Sequence, residues 1–160
     1  MSEAKFPEHL VIEKRLPAAV LDWYERRGER SLIVESDRIA DVAQILRDEL
    51  GFNVLVDLTC VDYKPRQPRF EVVYYFMNLA TKVRLRVKVQ SDDEHPEVPT
   101  LSSLYQIANW YEREVWDLFG IKFKGHPDLR RIMLYEEFKG HPLRKDYPKT
   151  KRQPLIGPEN

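Results

Sequence analysis

The spacing of apolar side chains changes period several times along the chain, and each change marks an element. Between Asp37 and Gly51, the residues Ile39, Val42, Ala43, Leu46 and Leu50 recur at helical spacing, with Asp37 placed to cap and Gly51 to stop. Ahead of this helix, Pro17 opens a predicted short helix through Trp23, Tyr24 and Arg27 that ends at Gly28. Proline presets φ at a helix start, and glycine frees it at the end. Ser31–Glu35 reads as a short strand, and residues 1–16 add little. Beyond Gly51 the period drops to two over Phe52–Val61, Phe70–Asn78 and Lys82–Gln90. In the last of these, Val83, Leu85, Val87 and Val89 alternate with Arg84, Arg86, Lys88 and Gln90, so one face is buried and the other wet. The linker Lys64-Pro65-Arg66-Gln67-Pro68 is removed from any ladder by its prolines, and residues 78–81 form a turn, so the three strands make an antiparallel meander. An acidic loop, Asp92-Asp93-Glu94-His95-Pro96, leads to a final helix, Leu101–Phe119. The order α-β-α-β-β-β-α predicts an α+β fold: a mixed, largely antiparallel four-stranded sheet with helices packed mainly on one face, plus an extended C-terminal tail.

On a helical wheel, Leu104, Ile107, Ala108, Tyr111, Val115, Leu118 and Phe119 fall in one stripe that faces the core. Glu112 and Glu114 lie at its opposite margins, while Trp110, Arg113, Trp116 and Asp117 occupy the face expected to meet water. Two tryptophans on a wet face have two readings. They are anchors for a protein partner, or the tail folds back and covers them.

Net charge is zero, 26 basic against 26 acidic side chains, which argues against a molecule-wide surface for nucleic acid. That neutrality conceals two unlike parts. Residues 121–160 carry 10 basic and 5 acidic side chains, leaving 16 and 21 for the preceding 120. The last 40 residues also hold five of the 11 prolines and three of the six glycines, a composition that breaks helices and does not alternate as strands do. The expected organisation is therefore an α+β body, 1–120, and an extended basic tail, 121–160. Fixing each tail residue costs ~1 kcal/mol or more. Because the tail's apolar residues are scattered, part of the compensating burial is expected on another protein, with Arg130, Arg131 and Arg144 positioned for carboxylate pairs there. A single cysteine, Cys60, excludes intrachain disulfides and Cys-rich metal sites and fits a reducing compartment. No run of about 18 apolar residues is present to span a bilayer, and the N-terminus shows neither a signal-peptide nor a transit pattern.

Candidate chemistry is thin. The pentapeptide Phe-Lys-Gly-His-Pro occurs twice, at 123–127 and 138–142, each copy projecting an imidazole from an extended turn and followed by basic residues, Arg130-Arg131 and Arg144-Lys145. A metal reading pairs His126 with His141, but no dense set of further ligands lies nearby in sequence, so hydrogen-bonded turn histidines are the stronger reading. Cys60 sits in strand phase with Val54, Val56 and Leu58, as a small buried hydrophobe would. Glu112 and Glu114 point about 200° apart on a helix, wrong for a cooperating acid and base. Arg113 and Asp117, four residues apart, read as a surface ion pair. The basic row Arg84, Arg86 and Lys88, with Tyr75 a strand away, could serve RNA, although it lacks the aromatic-rich signature of an RNA-recognition sheet, and a solvated face is the stronger reading.

Three segments carry a resemblance: Glu112-Arg113-Glu114-Val115-Trp116-Asp117-Leu118-Phe119-Gly120, His126-Pro127-Asp128-Leu129-Arg130-Arg131-Ile132, and Gly140-His141-Pro142-Leu143-Arg144-Lys145-Asp146-Tyr147-Pro148. With this spacing the chain resembles the 30-kDa subunit family of respiratory complex I, the C-type subunits of NADH-quinone oxidoreductase. One departure is Glu137, where the family pattern has glycine before the second pentapeptide. The resemblance implies a hydrophilic, architectural subunit of the peripheral arm near the quinone-binding end, on the cytoplasmic face of a bacterial inner membrane. No flavin, cluster, quinone or metal is implied in this chain. FMN, iron–sulfur clusters and quinone are expected in partner subunits, and contacts are expected with the large D-type subunit of complex I and neighbouring cluster-bearing subunits. Membrane association comes only through them, and no nucleic acid partner is implied. The resemblance, with the exposed chemistry, marks an expected subunit interface: Trp110, Glu112, Arg113, Glu114, Trp116, Asp117, His126, Asp128, Arg130, Arg131, His141, Arg144, Lys145, Asp146 and Tyr147. Related domains occur in membrane-bound hydrogenases and in enzymes with other electron donors.

Overall fold

A computed structural model of the chain describes residues 6–91 and 96–154. The acidic loop residues 92–95 and the apolar pair Leu155 and Ile156 lie outside the described residues. A helix α1, Pro7–Arg15, precedes the first predicted element. It starts on a proline at its first turn, carries Glu8 in that turn and Lys14 and Arg15 in the last, as the helix dipole favours. Its only buried apolar residue is Ile12, and its hold on the body is partly ionic, because Arg30 donates to both Glu8 carboxylate oxygens at 3.1–3.2 Å.

The helix predicted from Pro17 to Gly28 is instead a strand, β1, Val20–Arg26, hairpinned to β2, Glu29–Val34. Arg27 and Gly28 both have positive φ, 54° and 78°, as a two-residue hairpin turn requires. Gly28 therefore closes a hairpin, not a helix. Trp23 packs edge-on against Phe6 at 5.6 Å, while its neighbour Tyr24 faces the other side, where the Lys88 ammonium lies 5.8 Å from its ring. That alternation is a strand's period of two.

After a 3₁₀ turn, Ser36–Arg38, come α2, Ile39–Asp48, then β3, Val54–Asp62, β4, Phe70–Met77, and β5, Arg84–Ser91. Asp37 lies inside the turn and caps nothing by side chain. The sheet has five strands, not four, in the order β1-β2-β5-β4-β3, antiparallel except for β2 beside β5. The extra strand is the one mistaken for a helix. Phe70, Val72, Tyr74 and Phe76 of β4 and Leu85, Val87 and Val89 of β5 pack with Ile39, Val42, Ala43 and Leu46 of α2 into one core. The helices thus cover one sheet face. On the other, Arg84, Arg86, Lys88, Val73 and Tyr75 are not fully buried.

The last helix, α3, spans Ala108–Phe119 and begins seven residues later than predicted. Residues 101–107 form turns, with the N–H groups of Leu104 and Tyr105 both donating to Leu101 O at 2.9 Å. Side chains compete with the helix here: Ser102 N–H donates to Thr100 Oγ1 at 3.1 Å and Leu101 N–H to the Glu112 carboxylate at 2.6 Å. A small parallel pair, β6, Glu97–Pro99, and β7, Lys122–Lys124, ties the segments before and after α3 together. From 125 to 154 the described tail makes turns and no further helix or strand.

Candidate functional site

The tail is laid as a strap along α3, and charged side chains hold it there. Asp117, expected to meet water, is fully buried. Its Oδ2 accepts three consecutive backbone N–H groups, from Ile132 at 3.1 Å and from Met133 and Leu134 at 2.9 Å, while Oδ1 accepts the Arg131 guanidinium. Burial alone would push this carboxyl up, but the Leu134 N–H, Arg131 and the other two N–H groups outweigh it and hold it below the ordinary carboxylate value. Arg131 also donates to Phe138 O at 2.7 Å and Gly140 O at 3.1 Å, and it lies over the rings of Trp116 and Phe138. Arg113 donates to the carbonyls of Arg130 and Arg131, both at 3.1 Å. The wheel put Arg113 and Asp117 on the face expected to meet water, and the structure buries both. The strap then covers that face, and their partners are the strap rather than each other.

The two pentapeptides dock on the same helix. His126 accepts Asp128 N–H on Nδ1 at 3.0 Å, which leaves Nε2–H to donate to Asn109 O at 3.1 Å. His141 uses the opposite nitrogen, its Nδ1–H donating to Asp117 O at 2.9 Å. The two carbonyls are eight residues apart, about 12 Å along the axis, so the imidazoles cannot share one metal ion. Gly120 terminates α3 in the left-handed region, φ 79°, and a Cβ there would come within 2.6 Å of the His141 ring. Gly140, also at positive φ, leaves room for Tyr147, whose ring stacks on Phe138 with centroids 6.0 Å apart.

A second anchor joins the strap to the β3–β4 end of the sheet. Arg69, buried, forks onto Asp62 at 2.9 and 2.7 Å and reaches Asp146 at 2.9 Å, while Lys145 N–H donates to Asp62 at 2.7 Å. Burial opposes the charge on Asp62, but Arg69 and the N–H groups of Lys145 and Lys64 hold its carboxyl well below the usual range. Arg144 lies over Phe70 at 4.9 Å and approaches Asp146 at 3.5 Å. Of the three arginines expected to seek a partner's carboxylates, Arg131 and Arg144 have partners within the chain. Arg130 is on the surface beside Asp128, at 2.9 Å. Asp62, Arg69, Thr100 and Gly120 were not singled out from the sequence. The signal for Asp62 and Arg69 was their opposite charges at the two mouths of one proline-containing loop, and Gly120 was marked only as the last residue of the first motif segment.

A family model described as "Respiratory-chain NADH dehydrogenase, 30 Kd subunit" matches residues 32–153. The chain belongs to that family. A protein of Roseiflexus sp. (strain RS-1), named as the C-type subunit of NADH-quinone oxidoreductase, is 50% identical over 135 residues, 83% of this chain and 78% of its own. One of the same name from Citrifermentans bemidjiense is 44% identical over 137 residues, covering 86% and 85%. Among solved structures, Nqo5 as a trypsin-resistant fragment (1-134) is 34% identical, with TM-score 0.65 over 75% of this chain and 97% of that one. A chain of the membrane-bound sulfane sulfur reductase, an archaeal respiratory membrane complex, is 27% identical, with TM-score 0.76 over 88% and 84%.

In this 30-kDa family chain, Glu112 is the buried carboxyl pushed toward neutrality among the described residues. Burial raises it to about 7, against the lowering effect of Thr100 Oγ and Leu101 N–H. It faces His126 Nε2 at 3.9 Å, with neither side chain exposed, so no substrate reaches it from solvent. Among the described residues, no group of three or more His, Cys, Asp or Glu is arranged to hold a metal ion, and no helix is long and apolar enough to cross a membrane. Burial also raises the Cys60 thiol to about 12, far from a nucleophile's range. The strap leaves outside what it does not use. Glu114 is exposed, as are Trp110 (55%), Met133 (61%), Leu143 and Ile107. A cavity of about 470 Å³ lies beside Trp110, lined by Gln106, Asn109 and Pro127 among others. The two tryptophans thus divide: Trp116 is half-buried against Arg131 and His141, and Trp110 projects.

Proposed function

We propose that this chain is a non-catalytic, architectural subunit of the peripheral arm of NADH-quinone oxidoreductase. Its strapped α3 seats against the large D-type subunit and neighbouring cluster-bearing subunits. FMN, iron–sulfur clusters and quinone are held by those partners, and the chain is carried to the cytoplasmic face of the membrane by them. The observation that carries the reading is the use of the charges that face the strap, three from the motif and two from the β3–β4 end of the sheet. Asp117, Arg113, Arg131, Asp62 and Arg69 are consumed in shaping the strap, while Trp110, Ile107, Met133 and Leu143 stay exposed along it. Large apolar side chains on a rigid, well-bonded support are what an interface anchor requires. The likeness to the sulfane sulfur reductase complex supports a second reading, in which the same architecture serves a respiratory membrane complex other than NADH-quinone oxidoreductase.

Affinity purification of the tagged chain from native membranes, with subunit identification and cofactor analysis, separates these. The first reading expects co-purified flavin- and cluster-bearing subunits with NADH dehydrogenase activity, and no bound cofactor on the chain purified alone. Partners lacking an NADH-oxidising subunit favour the second. A chain that purifies by itself contradicts both.

A further inference from the structure

The end of the sheet where β2 and β5 begin carries a feature that the strap does not explain. Where the β1–β2 turn meets the β4–β5 turn, two adjoining cavities of about 370 and 430 Å³ meet at Glu29. Their walls hold six cations against two carboxylates, in a body whose charge is otherwise in acidic excess, although Arg30 is already paired with Glu8 at 3.1 Å and with Glu25 at 3.6 Å. Arg86 is neutralised by Glu29 and stacks on Tyr75 at 5.5 Å. Arg26, Arg27, Lys82 and Arg84 are exposed and have no ion pair among the described residues.

We propose that this cationic groove binds an acidic polypeptide segment of a neighbouring subunit, on a surface separate from the strapped helix. The proposal rests on the reading of the chain as a subunit of a larger complex. Exposed arginines match carboxylates in fork geometry and are weakly hydrated, so they tolerate desolvation at a contact. The described tail, residues 121–154, is no candidate occupant: it is basic, it lines neither cavity, and its second anchor sits at the far end of the strands. From Arg84 to Ser91, which pairs with Phe70 beside that anchor, is about 23 Å. A nucleic acid is disfavoured because Glu25 and Glu29 in the same walls would face its phosphates. A polypeptide can place acidic groups on the free cations and neutral ones opposite the glutamates.

The test is site-specific photocrosslinking in the intact complex from native membranes, with Arg26→p-benzoylphenylalanine and, separately, Trp110→p-benzoylphenylalanine. The proposal expects the Arg26 site to label a segment of another subunit rich in Asp and Glu. Arg27→Glu with Arg84→Glu should lower that yield about tenfold, and raising salt should lower it further, with the Trp110 adduct unchanged. No adduct at Arg26 while Trp110 labels a partner overturns this inference alone. So does labelling of lipid, nucleic acid, a second copy of this chain or a segment without acidic excess, or a yield unmoved by charge reversal. Absence of adducts at both positions overturns the subunit reading as well.

Discussion

Asp117 sets the strap's path through three amides and one guanidinium gathered on a single carboxylate. Asp117→Ala leaves those N–H groups without an acceptor and the largely buried Arg131 without its counter-charge, and a loss of about 3–5 kcal/mol is expected. Denaturant unfolding checks the magnitude, and hydrogen exchange at Ile132, Met133 and Leu134 checks the location, where protection should disappear. Because its folded pKa is depressed, Asp117's contribution is fully present above the ordinary carboxylate value and fades as pH falls through the lower folded value. The strap therefore stays docked through the neutral range and loosens in acid. Glu112 works in the opposite sense. Its folded pKa is raised from about 4.5 to about 7, so the unfolded chain releases the proton first and stability falls as pH climbs between those values. The total is on the order of 3 kcal/mol. When Glu112 is protonated, its O–H donates to Thr100 Oγ1, whose own hydroxyl is then free to donate to Ser102 Oγ at 2.9 Å. Glu112→Gln should abolish that slope in a pH series of unfolding measurements and leave the protein more stable at pH 8. A slope that survives the substitution would refute the assignment. The residue types of this site were readable from the sequence, but their partners were not. A wheel gives the angle of Asp117 without saying that residues 131–134 will arrive over it.

At the scale of elements, glycines and turns decide where the chain can close on itself. Gly120→Ala puts a Cβ against the His141 ring as well as an L side chain at φ 79°. A loss of about 1–2 kcal/mol is expected from the backbone alone, with more from the clash. His141→Ala removes the ring, so the double substitution should cost less than the sum of the two singles, a coupling that thermal or denaturant unfolding of the four proteins will show. Additive losses would mean that the ring and the helix terminus do not touch. The same reasoning explains what the sequence revealed about the elements. The meander and α2 were legible because each has one clean period. β1 was not, since Pro17 and Gly28 punctuate a helix and a hairpin equally well, and only Trp23 and Tyr24 pointing to opposite sheet faces separates the two. The start of α3 was obscured by Thr100, Ser102 and Glu112, whose hydrogen bonds reach across sequence. α1 hid because it has one buried apolar residue and an ionic tether. Glu137 causes no difficulty: it is not among the positive-φ residues, and Phe138 N–H closes its turn on Tyr135 O at 3.1 Å.

For the whole molecule, body and strap are stapled at two places, Asp117 on α3 and the Asp62–Arg69–Asp146 cluster at the sheet end. Between and beyond them lie exposed lysines and arginines on turn-rich backbone, the substrate that trypsin prefers. Limited proteolysis of the isolated chain is expected to cut first beyond residue 134, past the Asp117 staple, and Arg69→Ala should speed that cleavage without exposing the sheet core. First cuts within β4 or β5 would contradict this order. The zero net charge is likewise a whole-molecule result with a structural meaning: the basic strap lies on an acidic body, and four of the body's cations without an ion pair among the described residues, Arg26, Arg27, Lys82 and Arg84, share the corner where the β1–β2 and β4–β5 turns meet. Composition made the split visible, whereas the route of the strap depended on side chains far apart in sequence.

The most direct test of the architectural role is the abundance of the assembled complex, on native gels of membranes carrying Trp110→Ala with Met133→Ala. The account predicts a well-folded, soluble chain and a complex depleted at least about tenfold, because a projecting tryptophan of this kind anchors a contact worth about 2 kcal/mol or more. Complex at normal abundance and activity, with that ridge removed, would contradict it.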